Sequence, residues 1–373
     1  MSVGFEGLDL DGALALQWRL VQCLQDEFEG HEQLQAGDFG VTLGLNRPRT
    51  TARVERVLAR FFEAEAAKLV RGAGTGAIRA GLQVAVRPGD VVLLHESPIY
   101  PTTATTLETL GQVAVRADFN VAEEVARVVS ENAPQAVVIQ HTYQNPDDRY
   151  RVSDVVATVH QAADAAGIAR PVLLVDDNYA AFKSPRIGVQ QGADLSAFST
   201  FKVMGPEGVG CLIGCADLIE QAHEQAYSGG SQVQGPEAME VLRALVHAPV
   251  HLALTRRVVY EVAERWSREG LPGVQVEAIN IQGIHLMVRF NDPVAKAVAA
   301  EAYRRGALPN PVGAESRYEM APLFYRPSAT YLKAHPGSDD HVIRIIPNRA
   351  GPDGVIGLLR ACVEVARSRG ISA

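Results

Sequence analysis

The most informative segment of the chain is Ser199–Gly210, with the sequence STFKVMGPEGVG. Its lysine, Lys202, follows Asp176, the aspartate that ends the apolar run Val172–Val175. A lysine amine can hold the aldehyde of pyridoxal phosphate as a Schiff base, and a carboxylate can keep the pyridine nitrogen of that cofactor protonated. The pair therefore predicts a pyridoxal phosphate site. The glycines that follow Lys202 predict a backbone that passes close to a bound ligand.

Upstream of this segment, short apolar strands alternate with helical stretches. The strands are predicted at 67–70, 91–94, 113–115, 136–140 and 172–175, and the helices near 76–86, 102–110, 121–130 and 153–166. This alternation is typical of a mainly parallel sheet with helices on both faces. The runs Val91–Leu94 and Val137–Ile139 are apolar throughout, as buried parallel strands are. The sequence thus predicts an α/β fold.

The last third of the chain has a different pattern. A helical stretch at 236–269 is expected to break near Ala248-Pro249, and the later strands 285–290 and 342–346 carry charges among their apolar residues. Such strands suit a sheet with one solvated face. We therefore predict a smaller α+β domain here. The predicted division is an N-terminal helix or arm at 1–40 packing on the small domain, a large cofactor domain at 41–250 and a small C-terminal domain at 251–373.

Composition and charge exclude several classes of protein. The 373 residues are 47% hydrophobic and 21% charged, with a net charge of -8, so there is no basic footprint for nucleic acid. No apolar run approaches the length of a membrane span, and the acidic N-terminus does not resemble a signal peptide. The four cysteines are too scattered for a disulfide framework or a metal site, which predicts buried, reduced thiols in a cytoplasmic protein. They are Cys23, Cys211, Cys215 and Cys362.

A glycine-rich segment, Arg71–Arg79 with the sequence RGAGTGAIR, follows a predicted strand and opens a predicted helix. Glycines there let backbone N–H groups approach a phosphate, and the helix N-terminus favours negative charge. Gly74, Thr75 and Gly76 are the candidate phosphate ligands.

The same segment permits a dinucleotide interpretation. Gly72, Gly74 and Ala77 match the pattern G-x-G-x-x-A, and Glu96 follows the next strand where a ribose-binding acid would lie. A nicotinamide-dependent oxidoreductase is therefore an alternative. It leaves Asp176 and Lys202 unexplained, whereas the pyridoxal phosphate interpretation uses both.

Four further side chains complete the predicted cofactor site, each with a structural alternative. Tyr179, three residues after the strand-end aspartate, could reach the phenolic oxygen of the cofactor. Ser199 could bond its phosphate. Asn145, in Asn145-Pro146, could bond O3′ or only form a turn. Tyr100 could stack on the pyridine ring or only pack within its loop.

Two candidates lie further along the chain. Arg344 shares a strand face with Val342 and Ile346, so it needs an anionic partner, either a substrate α-carboxylate or an internal carboxylate. The segment Tyr227–Gln232, YSGGSQ, has the small polar composition of a second anion site or of a solvated loop.

With these residues assembled, the chain resembles fold type I pyridoxal phosphate enzymes over nearly its whole length. Asp194–Gly210 looks like the lysine region of class V aminotransferase relatives. The segments closest to the bacterial YhfS-like group are Gly72–Leu82, Tyr227–Gln232, Gly306–Pro309 and Pro311–Ser316.

The resemblance implies a pyridoxal phosphate-dependent transferase fold, with a seven-stranded sheet between helices, a smaller α+β C-terminal domain and a homodimer whose active sites lie at the subunit interface. It implies that Lys202 is the Schiff-base lysine and Asp176 the pyridinium partner. Phosphate contacts implied by the resemblance are Gly74, Thr75, Gly76 and Ser199, with Ser231 and Gln232 from the neighbouring subunit.

The chain departs from class V relatives at two places. Phe201 replaces the histidine that often precedes the lysine, and no cysteine lies between residues 216 and 361, where a cysteine desulfurase would place its nucleophile. Our hypothesis is an aminotransferase that acts on an amino acid and a keto-acid acceptor without a metal, with Lys202, Asp176 and Tyr100 as catalytic residues. The alternatives are a β- or γ-eliminating lyase, a non-catalytic cofactor-binding protein and the oxidoreductase.

Overall fold

The structure, a computed structural model, describes residues 5–143, 145, 147–313, 315–328, 331–332 and 335–370. Pro146 of the predicted Asn145-Pro146 turn lies outside the described residues. The chain divides into two units, which are described separately. Among the described residues, the first comprises the segment up to Leu8 and Leu14–Pro249, and the second comprises Asp9–Ala13 and the segment from Val250 onward.

A seven-stranded sheet forms the centre of the first unit. Its strands are β1 (Ala66–Arg71), β2 (Val91–His95), β3 (Val113–Ala117), β4 (Ala136–Gln140), β5 (Val172–Asp176), β6 (Leu195–Ser199) and β7 (Val209–Gly214). Their order is β1-β7-β6-β5-β4-β2-β3. Neighbouring strands are parallel from β6 to β3, whereas β7 is antiparallel to both β6 and β1. The predicted mainly parallel sheet is confirmed.

Helices cover both faces of this sheet. The helices of this unit include α1 (Leu10–Glu27, whose first residues are grouped with the second unit), α2 (Arg49–Phe61), α3 (Ala73–Ala85), α4 (Pro101–Thr109), α5 (Ala122–Asn132), α6 (Val152–Ala166) and α7 (Ala216–Gln225). Successive side chains of a strand point to opposite faces, so each strand serves two cores. Leu173 and Val175 of β5 pack with residues of α5 and α6, while Leu174 packs with residues of α3 and α7.

The strand order contradicts the dinucleotide interpretation. A Rossmann unit needs its first two strands to be parallel neighbours across the crossover helix. Here β1 pairs only with β7, at the opposite end of the sheet from β2 and β3, although α3 connects β1 to β2. Glu96, the predicted ribose-binding acid, therefore follows a strand that is separated from β1 by four other strands of the sheet, and the oxidoreductase alternative is wrong.

A cluster of buried charges links α2, β1 and α7. Glu55 accepts a hydrogen bond from the Leu69 backbone N–H at 2.9 Å and forms an ion pair with Arg47 Nε at 2.7 Å. In the same cluster, Lys68 Nζ lies 3.1 Å from His223 Nδ1. Burial raises the pKa of Glu55 to about 7 and lowers the pKa of Lys68 to about 8. Charged groups are rarely so buried unless they are paired, as these are.

A four-stranded antiparallel sheet forms the centre of the second unit, in the order β10-β11-β9-β8. The strands are β8 (Val274–Ile279), β9 (Leu286–Phe290), β10 (Leu323–Tyr325) and β11 (Val342–Ile346), and the helices of this unit include α9 (Ala295–Arg304) and α10 (Pro352–Gly370). Buried and half-buried residues alternate along β9, as expected for a sheet with one solvated face.

The helix α8 (Gly235–Glu269) differs from the sequence prediction. We expected a break near Ala248-Pro249, but the helix continues through Pro249. Proline removes one backbone hydrogen bond and crowds the preceding turn, which destabilises a helix. Tertiary packing on both sides of the proline can outweigh this cost, and the helix then continues. Ala248 and Leu252, which flank Pro249, are both buried. Within the described part of the chain, no helix is long and apolar enough to cross a membrane.

Candidate active site

The ends of four strands meet at one edge of the large sheet. Strands β4, β5 and β6 are parallel, and β1 runs in the same direction because β7 is antiparallel to both β1 and β6. Their carboxyl ends therefore lie along the same edge, where ligands bind in open α/β sheets. Asp176 ends β5, Ser199 ends β6, and Gly72 follows β1. The topology thus brings together three segments that lie far apart in the sequence and that were each predicted to contact the cofactor.

Lys202 lies in a short 3-10 helix, Thr200–Val203, directly after β6. Its Nζ is 3.8 Å from the centroid of the Tyr179 ring and 5.6 Å from the centroid of the Tyr100 ring. Aromatic faces attract an ammonium group over such distances. Two of the predicted site tyrosines therefore flank the predicted Schiff-base lysine.

Asp176 is oriented by Asn178, a residue that no pattern in the sequence predicted. Asp176 Oδ1 accepts hydrogen bonds from the Asn178 backbone N–H at 3.0 Å and from Asn178 Nδ2 at 2.7 Å. Asp176 keeps some exposed surface, yet burial by the surrounding protein raises the pKa of its carboxyl, while Asn178 and Lys202 oppose the rise. A cationic partner stabilises the ionised form of such a buried carboxyl, and a protonated pyridine nitrogen would be such a partner.

The glycine-rich segment has no room for side chains at its turn. A Cβ added at Gly74 would lie 1.9 Å from Asn178 Oδ1, and one at Gly76 would lie 2.0 Å from the Arg71 carbonyl oxygen. Gly72, just before α3, has a φ of 95°, in the left-handed region that favours glycine. The close approach of Asn178 and of the Arg71 carbonyl therefore requires glycine at positions 74 and 76. The Gly76 backbone N–H donates to the Gly72 carbonyl oxygen at 2.8 Å, and the N-terminus of α3 that this turn forms suits a phosphate.

A second hydroxyl lies beside this turn. Thr75 Oγ1 is 3.0 Å from Thr102 Oγ1, which belongs to the first turn of α4. Because α3 and α4 begin at the same place, Thr102 joins Thr75 as a candidate phosphate ligand. It lies outside the glycine pattern, so nothing in the sequence marked it. Ser199, another predicted ligand, is buried and donates its backbone N–H to Asn178 Oδ1 at 2.9 Å.

Asn145 lies in the loop after β4, on the same edge. Its Nδ2 is 3.5 Å from Asp148 Oδ1, and its Oδ1 accepts a hydrogen bond from the Asp147 backbone N–H at 3.1 Å. The amide therefore takes part in the turn that the sequence suggested as the structural alternative.

In the Tyr227–Gln232 loop, the two residues that were predicted to contribute to the site of the neighbouring subunit differ in exposure. Ser231 is exposed, whereas Gln232 is buried and donates its side-chain amide to the Ala226 carbonyl oxygen. Arg71 holds this loop to the glycine-rich segment, since its Nη2 donates to the Gln232 carbonyl oxygen at 3.2 Å and its guanidinium pairs with Glu237. The Gln232 side chain is thus engaged within its own chain.

In the second unit, Arg344 is the central residue of β11 and is half-buried between buried neighbours. Its guanidinium carbon lies 5.5 Å from the centroid of the Tyr325 ring, which faces it across the β10–β11 pair. Stacking on an aromatic face restricts the orientation of the guanidinium plane.

A buried histidine–aspartate pair lies next to Asp176 in the chain, and the sequence did not predict it. His141 Nδ1 lies 2.6 Å from Asp177 Oδ1, and Asp177 Oδ2 accepts a hydrogen bond from the Gly188 backbone N–H at 3.0 Å. Asp177 directly follows Asp176, so the pair fixes the end of β5. Only the two adjacent aspartates could have drawn attention to it.

Comparison with known proteins gives the family. The model for class V aminotransferases matches residues 122–243, and the model for the YhfS-like C-terminal domain matches residues 260–359. The uncharacterized protein YhfS of Escherichia coli K12 is 47% identical over 359 residues, which cover 96% of this chain and 98% of YhfS. The chain belongs to the YhfS family.

Solved structures agree with this assignment. The crystal structure of the pyridoxal-5′-phosphate dependent protein YhfS from E. coli superimposes with a TM-score of 0.92 at 46% identity, over 98% of this chain and 99% of that one. Cystathionine gamma synthase from Xanthomonas oryzae pv. oryzae, in complex with cystathionine, matches with a TM-score of 0.69 at 17% identity, over 95% and 98% of the two chains, which shows a shared fold alone. The predicted type I fold and the predicted cofactor, pyridoxal phosphate, are confirmed.

Proposed function

We propose that this member of the YhfS family is an aminotransferase that acts on an amino acid, with Lys202 as its catalytic lysine. The observation that carries the proposal is the position of the Lys202 amine, 3.8 Å from the centre of the Tyr179 ring, at the sheet edge where Asp176 ends β5. Bound pyridoxal phosphate supplies an electron sink for charge that develops at the substrate Cα.

The residues of the chain would divide the remaining tasks among them. Lys202 Nζ would hold the cofactor aldehyde and, once the substrate amine displaces it, take the proton from Cα. Asp176, oriented by Asn178, would keep the pyridine nitrogen protonated. The Tyr100 ring would cover one face of the cofactor ring and exclude water from it, and the Tyr179 hydroxyl would bond its phenolic oxygen.

The phosphate and the substrate would be held by separate groups. We propose Gly74, Thr75, Gly76 and Ser199 as the phosphate ligands, and Thr102 as an addition to them. Arg344 would bind the substrate α-carboxylate as a bidentate partner. Asn145 would bond O3′ of the cofactor.

We also propose a homodimer with shared active sites. Leu34, Phe39 and Leu43 are each more than three-quarters exposed, and Tyr227 is 70% exposed. Large apolar side chains exposed close together along a chain are typical of protein interfaces. Ser231, exposed beside Tyr227, would contribute its hydroxyl to the site of the partner subunit.

Two lysines near the same ring make a sharp test of the lysine assignment. Lys183 Nζ lies 6.0 Å from the centroid of the Tyr179 ring, and Lys202 Nζ lies 3.8 Å from it. Borohydride reduction followed by peptide mass spectrometry should locate the cofactor on Lys202. Lys202→Ala should abolish this adduct, and Lys183→Ala, the matched control, should retain it. An adduct on Lys183 would refute the assignment.

The reaction itself is tested with a panel of amino acids, with and without an added keto acid. An aminotransferase produces a new keto acid in proportion to the acceptor that it aminates. Release of ammonia and keto acid without an acceptor would instead show an eliminating lyase, which needs the same groups. Bound cofactor with no product from any amino acid, with or without acceptor, would show a binding protein.

A further inference from the structure

One buried carboxylate without a role in the proposed chemistry, that of Asp148, joins three loops at the edge of the large sheet. It is 2% exposed. Its Oδ1 lies 3.0 Å from His95 Nε2 and accepts hydrogen bonds from Asn120 Nδ2 at 3.1 Å and from Asn145 Nδ2 at 3.5 Å. Its Oδ2 accepts a hydrogen bond from Ser97 Oγ at 3.1 Å.

The tautomer of His95 makes it a donor to this carboxylate. The Phe119 backbone N–H, which can only donate, lies 3.0 Å from His95 Nδ1. Nδ1 is therefore the acceptor, although the Ala117 carbonyl oxygen lies 3.3 Å away, and the proton of the neutral ring is on Nε2. That proton points to Asp148. All four side chains around Asp148 are then donors, and the carboxylate is their common acceptor.

The donors come from segments that carry proposed cofactor contacts. His95 and Ser97 lie at the end of β2, and Tyr100 follows Ser97 by three residues at the start of α4. Asn145 is in the loop after β4, as Asp148 is, and Asn120 is in the loop after β3. Asn120 also accepts hydrogen bonds from the backbone N–H groups of Arg149 and Tyr150, at 2.6 and 3.0 Å, which ties the loop after β4 from its other side.

We propose that Asp148 is a positioning residue, which sets the spacing between Tyr100 and Asn145 and so the orientation of the cofactor ring between them. This inference rests on the proposed roles of Tyr100 and Asn145. It does not depend on which reaction the protein catalyses.

The residue next to Asp148 offers a matched control. Asp147 is exposed and contacts Asn145 through its backbone N–H, so Asp147→Asn makes the same change of charge without removing the shared acceptor. Asp148→Asn replaces one carboxylate oxygen by an amide donor and removes the negative charge. Either Ser97 alone, on Oδ2, or the three donors on Oδ1 lose their acceptor, and every remaining hydrogen bond is to a neutral oxygen. Hydrogen bonds to charged groups are strong enough for their loss to weaken pyridoxal phosphate binding to the apoprotein by about 10- to 100-fold.

Ser97→Ala is a milder test on the Tyr100 side alone. It removes one donor at 3.1 Å from Asp148, and we expect binding to weaken by about 3- to 10-fold. Each variant is titrated with pyridoxal phosphate, and the pH at which the visible absorption band of the bound cofactor changes is measured along with the melting temperature. Asp148→Asn should shift this pH, and Asp147→Asn should leave both affinity and spectrum unchanged.

A purely structural Asp148 predicts something different. Asp148→Asn would then lower the melting temperature while its cofactor affinity and spectrum match those of Asp147→Asn, which would overturn the proposal. If Asp148→Asn does not fold, the test rests on Ser97→Ala. Wild-type cofactor affinity and a wild-type spectrum in Ser97→Ala would then overturn the proposal. None of these measurements needs a substrate. The test of Asp148 is therefore independent of whether the protein proves to be an aminotransferase.

Discussion

Replacing Gly74 by alanine tests whether the glycine-rich turn and the Asp176 carboxylate form one unit. The new Cβ would lie 1.9 Å from Asn178 Oδ1, far inside van der Waals contact, so the Asn178 side chain must move. That side chain accepts a hydrogen bond from the Ser199 backbone N–H at 2.9 Å and donates one to Asp176 at 2.7 Å. Both bonds are lost when it moves.

The expected magnitude follows from these two bonds. The bond to the carboxylate is worth about 1.5–3 kcal/mol and the neutral one about 0.5–1.5 kcal/mol. Alanine recovers about 1 kcal/mol through its higher helix propensity. The net loss in free energy of unfolding is therefore about 1–3.5 kcal/mol. Asp176 also loses one of the two Asn178 donors that lower its pKa, so its ionised form is less stable and pyridoxal phosphate should bind more weakly.

Urea unfolding of the apoprotein and titration with pyridoxal phosphate check both effects. Gly81→Ala is the control in the same helix, because the three atoms nearest to its Cβ would be methyl groups, Leu174 Cδ1 at 3.0 Å, Leu174 Cδ2 at 3.2 Å and Leu212 Cδ1 at 3.3 Å. Leucine side chains can yield by a few tenths of an ångström, so this variant should bind cofactor normally. If Gly74→Ala is as stable as Gly81→Ala and binds cofactor with wild-type affinity, the coupling through Asn178 is refuted.

Three further predictions concern other parts of the molecule. Arg344→Lys should lower kcat/KM for amino acids by about 100-fold and leave cofactor content unchanged, since an ammonium cannot reproduce the bidentate contact. Glu55→Gln should change the pH dependence of unfolding in urea. Burial raises the pKa of Glu55 from 4.5 to about 7, so its contribution to stability is complete below about pH 4.5 and is lost as the pH rises through 7, by on the order of 3 kcal/mol. Finally, inactive Lys202→Ala and inactive Ser231→Ala chains, mixed under exchange conditions, should recover up to about a quarter of the wild-type activity, because half of the random dimers are mixed and each has one intact site.

Each of these has a result that contradicts it. Loss of bound cofactor or of folding in Arg344→Lys would show a structural arginine. A stability difference between wild type and Glu55→Gln that is equal at pH 4.5 and pH 8 would show that the carboxyl does not titrate abnormally. No recovered activity, with subunit exchange shown independently, would exclude a shared active site.

Much of the site could be predicted because its parts are local in sequence. Asp176 ends an apolar strand, Lys202 precedes three glycines, and the glycine-rich segment lies between a strand and a helix. Each is a pattern of a few neighbouring residues that can be read directly from the sequence, although the contact that requires glycine at position 74 comes from Asn178, far along the chain. The alternation of strands and helices likewise predicts a parallel sheet, since it reflects how each element buries its apolar side.

Other features depended on contacts between residues far apart in the chain. The same glycine pattern is compatible with a dinucleotide or with pyridoxal phosphate, and only the pairing of β1 with β7 excluded the first. Pro249 predicts a helix break from local stereochemistry, yet α8 continues because tertiary packing outweighs one lost hydrogen bond.

By itself, then, the sequence determined the cofactor and the fold class, and it supplied the predicted roles in the site: which residue would supply the amine, which the carboxylate, and which glycine-rich turn would hold the phosphate. Tertiary structure alone decided how these groups are held. Asn178 forms hydrogen bonds with both Asp176 and Ser199. Asp148 accepts hydrogen bonds from residues at or after the ends of β2, β3 and β4. A polar side chain finds such partners only when the sheet aligns the strand ends, and the spacing of residues along the chain carries no record of that alignment.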